Sequence, residues 1–308
     1  MEGKELEETE KEKGKKKLPD FLGDALRTLT IREKLTFFLM FIVILCFGVI
    51  DAIASRLFGL WPNKPIHEVV PDFIYQMQYT MHTVGCHGAN MTILRLRNGN
   101  LALFSPAHPF PPSLDQVSDL SGKVEVIVCP NIFHDSNVKA WSGFFADARV
   151  VAPNAIKEHV EKMGISQVIS LEEEAERQGW TIVDHSPFLR HIFPDIVVCA
   201  EGKGDKKERE EYLISFDTLQ NNKAEEGALV WLPMGWNGFR VARFFKFVLV
   251  ADRSGFRKSI EAAVGEGGRH RLSGVVFSHG PPLLSDEVNS AISSTLSVHL
   301  PDRDTGGS

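Results

Sequence analysis

The sequence predicts an α/β (α+β) body in which two sheets pack face to face with helices outside, preceded by one membrane-spanning helix. Three observations carry this. Strand-like runs come first and then alternate with helical patterns, in both halves of the body, which is the order of a layered domain. Leu35 to Ile50 carries no charge over 16 residues, close to what a bilayer core requires. With 43% of its 308 residues hydrophobic and 24% charged, the chain has the composition of a globular protein, which excludes a disordered, collagen-like or disulfide-stapled one.

Residues 1–17 are nearly all charged or small, acids first and lysines last, and cannot bury enough apolar surface to order themselves. Residues 1–34 are therefore expected to be a charged, disordered cytosolic tail and juxtamembrane segment. They are too acidic and too poor in Ser and Arg for a transit peptide, and a secretory signal places its apolar core nearer the start. Extended to Ala54, the uncharged run makes a span over 35–54 with Asp51 near its end, and its expected partner is the lipid bilayer. A buried core helix and an interfacial helix are the alternatives. Trp61 then marks the second interface. Lys15, Lys16, Lys17, Arg27, Arg32 and Lys34 precede the span, against Arg56 and Lys64 close behind it. This asymmetry puts the N-terminus of a single-pass protein in the cytosol and the body in a lumen or outside. The sequon Asn90-Met91-Thr92 fits such a body.

Residues 55–89 read as a linker, 90–300 as the folded domain and 301–308 as a disordered end. The domain opens on a hairpin, because Asn98-Gly99 separates two apolar runs in MTILRLRNGNLALFS and that dipeptide favours a tight turn. After the Pro-rich AHPFPP comes a short helix near Ser113 to Leu120, then a buried strand, KVEVIVC, ended by Pro130. Val138, Trp141, Phe144 and Phe145 give helical spacing over Asn137 to Asp147; Ala148 to Val151 is a short strand and Asn154 to Met163 an amphipathic helix. Strands follow near Thr181 to Val183, Ile192 to Cys199 and Tyr212 to Phe216. Helices are expected over Val241 to Val250 and Gly255 to Val264. A last strand, Gly274 to Ser278, precedes a helix from Ser285 to Leu300.

A net charge of -6, from 34 basic and 40 acidic residues, gives no electrostatic reason to expect nucleic acid as a partner. Cys46, Cys86, Cys129 and Cys199 stand singly without CxxC spacing, so neither a zinc finger nor a thioredoxin-type site is indicated. No GxxxxGK[ST], GxGxxG or GxSxG occurs, which removes support for phosphate-loop, dinucleotide and serine-hydrolase chemistry.

Three strand ends each deliver a metal-ligand type: His134, in the stretch PNIFHDSN after VEVIVC; Asp217 after EYLISF; and His279 after VVFS. Early His, central Asp and late His-Gly at strand ends is the distribution of ligands in metallo-β-lactamase-fold hydrolases. With NMTILRLRNGNLALFSPAHP, VIVCPNIFHDSNVKAWSGFFADARVVAP, EYLISFDTLQNN and VVFSHGPPL, residues 90–300 resemble an uncharacterised branch of that superfamily, known as a domain of unknown function. The resemblance implies an αββα sandwich with its site along one edge of the two sheets. The first motif of the superfamily is HxHxDH, whereas the matching stretch here is Asn131-Ile132-Phe133-His134-Asp135-Ser136.

His134, Asp217 and His279 are therefore the expected ligands of one divalent metal, zinc, iron or manganese, with Asp135 as a catalytic base or an orienting acid. The alternative is a degenerate site whose His and Asp satisfy loop hydrogen bonds. His185 and His191 precede the Asp217 strand, where the superfamily supplies another histidine, but neither sits in a Gly-His-Thr-like turn. His82, Cys86 and His87 form a second possible cluster, His108 stands alone in its loop, and Trp231, Trp236, Phe239, Phe244, Phe245 and Phe247 read as core packing. Two functions remain open: a metal-dependent hydrolase of unknown substrate, or a catalytically inactive member of the fold serving as a membrane-tethered binding domain for a small molecule or protein.

Overall fold

The computed structural model describes residues 63–81, 86–189, 196–201, 210–222, 238–242 and 250–301, with isolated helical positions between 31 and 42. A first sheet runs in chain order through β1 (His67–Val70), β2 (Ile74–Met81), β3 (Cys86–Arg95), β4 (Leu101–Phe104), β5 (Val124–Val128), β6 (Arg149–Ala152) and β7 (Val168–Ser170). It is antiparallel from β1 to β4 and parallel from β4 to β7. The parallel half needs crossovers, which α1 (Pro111–Asp119), α2 (Val138–Phe144) and α3 (Asn154–Lys162) supply.

The second sheet comprises β8 (Thr181–Asp184), β9 (Ile196–Glu201), β10 (Glu211–Ser215), β13 (Leu272–Phe277) and β14 (Leu283–Leu284), in spatial order β14-β13-β10-β9-β8. β11 (Leu219–Asn222) and β12 (Gly238–Val241) form a small ribbon. Between the sheets lies α4 (Leu171–Gln178) in sequence, linking β7 to β8; α5 (Arg253–Val264) and α6 (Val288–His299) complete the chain.

Side-chain alternation along the strands sorts three apolar layers. Leu94, Ala102, Phe104, Val126, Val128 and Val151 of the first sheet meet Tyr212, Ile214, Phe216 and Val276 of the second. The opposite face of the first sheet, with Met91, Leu103 and Ile127, is covered by Val117, Trp141 and Ile156 of α1, α2 and α3. That of the second, with Leu213 and Val275, is covered by Phe256 and Ile260 of α5 and Ile292 and Leu296 of α6. Helix, sheet, sheet, helix is the order the strand-and-helix pattern predicts.

The Asn98-Gly99 turn forms as expected, with Gly99 at φ 86° and β3 and β4 paired through Arg95 and Leu101. Three expectations need correction. The segment 55–89, read as a linker, contains β1, β2 and the start of β3, because Tyr75, Met77 and Tyr79 bury one face of β2 while the polar Gln76 is buried on the other. Val241 lies in a strand, not at the head of a helix over 241–250, and residues 243–249 of that helix lie outside the described residues. Asn90 is buried, its side-chain amide donating to the carbonyls of Phe277 and Gly280, so the folded body does not present the sequon to a glycan.

Most of the span 35–54 lies outside the described residues. Within it and just before it, Ile31, Leu35, Phe38, Leu39 and Ile42 are helical and exposed. Among the described residues no helix is long and apolar enough to cross a membrane.

Candidate metal centre

β10 and β13 are parallel neighbours with Ser215 opposite Phe277. Asp217 and His279 each lie two residues beyond that pair, so one register places both side chains at the same end of the second sheet. The third group comes from the first sheet: Val128 ends β5, and the chain turns through Cys129 to Asn137, with the His134 N–H donating to the Asn131 carbonyl (3.2 Å). The two sheets are stitched together at this end. Asn90 N–H donates to the Ser278 carbonyl (2.8 Å), Ala89 bridges His279, and the Gln76 amide reaches the Phe277 carbonyl (3.1 Å).

His134, Asp217 and His279 converge there at 3%, 8% and 1% exposure, each offering a ligand atom within 4.8 Å of the others. His279 Nε2 lies 3.2 Å from Asp217 Oδ1 and His134 Nε2 3.5 Å from Asp217 Oδ2. Two nitrogen or oxygen ligands at about 2.05 Å from a tetrahedral zinc are about 3.3 Å apart, so these separations match two edges of such a shell. Burial raises the Asp217 pKa, but the charge of His134, 3.5 Å away, and the hydrogen bond from His279 outweigh it and hold the carboxyl well below the usual range. Among the described residues neither ring nitrogen of His134 has a hydrogen-bond partner, although a buried unsatisfied group costs about 1–3 kcal/mol. A buried imidazole that makes no hydrogen bond and faces a carboxylate oxygen at 3.5 Å fits a cation ligand.

Asp135 is not brought into the trio. Its Oδ2 lies 2.7 Å from Nε2 of His159 on α3, so its carboxylate serves that pair and not the site. His185 is buried with Nδ1 3.2 Å from the Val183 carbonyl and Nε2 3.0 Å from Thr218 Oγ1. Its ring therefore braces the residue after Asp217. His108 is exposed and stacks on Phe110 at 4.3 Å. His82, His191, Trp231, Trp236 and Phe244 to Phe247, and the side chains of Cys86 and His87, lie outside the described residues.

The residue that sequence reasoning leaves unassigned is Asn131. It is fully buried, its Nδ2 donates to Asp217 Oδ2 at 2.7 Å, and its Oδ1 accepts from the Phe133 N–H at 2.9 Å. The available signal was its place: counting back from Asp135 as the acid of HxHxDH, Asn131 stands at the first histidine of that motif.

No protein-family model and no curated protein matches the chain. Among solved structures it is similar to the DIM-1 metallo-β-lactamase exposed to ceftazidime, with a TM-score of 0.48 and 11% identity over 77% of this chain and 98% of that one. A metallo-β-lactamase from Pontibacter korlensis gives a TM-score of 0.44 and 13% identity over 77% and 99%. The FIM-1 enzyme from Pseudomonas aeruginosa, in its mono-zinc form, gives 0.42 and 12% over 78% and 98%. All three of these solved structures are metallo-β-lactamases.

Proposed function

We propose that the body is a metallo-β-lactamase-fold domain, tethered to a bilayer through residues 35–54 with its N-terminus in the cytosol, that holds one divalent ion and acts as a metal-dependent hydrolase. The observation that supports this most is the unpartnered, buried imidazole of His134 beside an Asp217 carboxylate that stays ionised. His134, Asp217 and His279 would hold the ion, and Asn131 orients Asp217. An ion so held supplies Lewis-acid polarisation of a carbonyl or phosphoryl oxygen and lowers the pKa of bound water. The bilayer reading is supported by the uncharged run from Leu35 to Ile50 and by the exposure of the apolar side chains described between 31 and 42.

One observation favours a second reading, a catalytically inactive sandwich used as a tethered binding domain. Both oxygens of Asp217 already have hydrogen-bond partners in the protein, Asn131 on Oδ2 and His279 on Oδ1. Metal analysis of the full chain, purified in detergent without chelator beside His134→Ala and His279→Ala, separates the readings. About one equivalent of zinc, iron or manganese, lost in both variants, is expected; a folded, metal-free wild type refutes the hydrolase reading.

A further inference from the structure

We infer that Asn131 is a positioning residue that fixes the Asp217 carboxylate for metal binding, its amide clamped between the Phe133 N–H and Asp217 Oδ2. The inference rests on the metal reading of the trio. The clamp has one orientation: with Oδ1 accepting from Phe133 N at 2.9 Å, Nδ2 must face Asp217 at 2.7 Å. The flipped amide would set oxygen against carboxylate and two donors against each other. Toward Asp217 Asn131 presents its amide NH2, a donor without a lone pair for an ion, so it acts there on the carboxylate and not as a ligand.

Its effect passes through Asp217. A carboxylate at a strand end turns about its terminal bond; here Asn131 holds Oδ2, whereas the His279 ring nitrogen that faces Oδ1 at 3.2 Å cannot both donate to it and ligate an ion. Counted from Asp135, Asn131 stands at the first histidine position of HxHxDH, and there it bonds the carboxylate of Asp217. Losing an outer partner of a ligating carboxylate costs about 10–100-fold in metal affinity.

The test uses cobalt(II) with the full chain in detergent, comparing wild type with Asn131→Ser. Serine still accepts from the Phe133 N–H in a local turn but is too short to reach Asp217. The expected result is one cobalt per chain in both, with Kd raised about 10–100-fold in the variant and the cobalt-induced rise in melting temperature reduced accordingly. A purely structural role lowers the melting temperature equally with and without cobalt and leaves Kd unchanged, which overturns the inference. A wild type that binds no cobalt overturns the metal reading itself. Should Asn131→Ser not fold, Asn131→Thr fills more of the vacated space and carries the same expectation.

Discussion

Replacing Arg149 with Met tests how the two halves of the sandwich are held in the alignment the site needs. Arg149 on β6 donates from Nη2 to Glu125 of β5 (2.8 Å) and to Glu174 of α4 (2.8 Å), with Nε also on Glu174 (3.2 Å). α4 joins the last strand of the first sheet to the first strand of the second, and its Leu171 and Ala175 sit in the inter-sheet core. The Glu174 side chain is fully buried. Arg149→Met therefore strands a carboxylate, an error that costs about 3–5 kcal/mol when the charge is left uncompensated. Two features limit it. Gln178 Nε2 at 2.8 Å and Arg177 Nη1 at 3.5 Å remain as partners of the carboxylate. A loss of about 2–4 kcal/mol is expected in urea unfolding with an unchanged slope. Arg149→Met with Glu174→Met should recover most of it, because an apolar pair replaces a buried ion pair at little cost. A single variant within about 1 kcal/mol of wild type, or a double variant no more stable than the single, would refute the reasoning.

Two further predictions follow. Because His134 comes from the first sheet and Asp217 and His279 from the second, chelation should lower the melting temperature of the full chain and zinc should restore it, by about 2.7 kcal/mol at a hundredfold excess over Kd; differential scanning fluorimetry showing equal melting of stripped and loaded wild type, or a zinc response in His134→Ala, would sink the bridge. Burial raises the Glu125 pKa, but hydrogen bonds from Asn100, Arg149 and Asn98 outweigh it and hold it at about 2. Its stabilisation is therefore full above the unfolded pKa of about 4.3 and lost as pH falls through about 2, so urea midpoints measured over that window should fall less steeply in Asn100→Ala than in wild type.

The layered architecture was legible because strands and helices here carry their own periods and punctuation. Gly99 and Asn98 define one turn, and the buried runs of β5, β10 and β13 are followed within six residues by His134, Asp217 and His279. The missed elements were polar on one face. β2 alternates Tyr75, Met77 and Tyr79 with Gln76 and Gln78, a period of two that reads as a half-exposed strand, yet it hides Gln76 between the sheets, where Thr92 and the Phe277 carbonyl satisfy its amide. α4 was missed although its caps were written in the chain: Ser170 accepts from the Glu173 N–H and Gly179 adopts φ 70°, a capping signal with a glycine stop. Trio convergence was legible from strand ends alone. The Asp135 pairing with His159 was not, since it depends on how α3 packs beside the loop.

The contrast between the two halves of the site has a physical cause. Asp217 and His279 are placed by a hydrogen-bonded ladder, two residues past a paired position on adjacent parallel strands, and moving either would shift the register that buries Leu213, Val275 and Phe277. Register is strongly specified where a face is buried, so these two positions are tied to the fold. His134 and Asn131 lie on a turn beyond β5 whose backbone bonds are local, His134 to Asn131 and Val138 to Asp135. A turn of this kind changes which side chain it presents without disturbing either sheet. Substitutions at 131 and 134 should therefore alter ion binding with little loss of fold. Substitutions that disturb the packing of β10 against β13 should remove both together, and the ratio of the two effects at each position measures how far the site is separable from the sandwich that carries it.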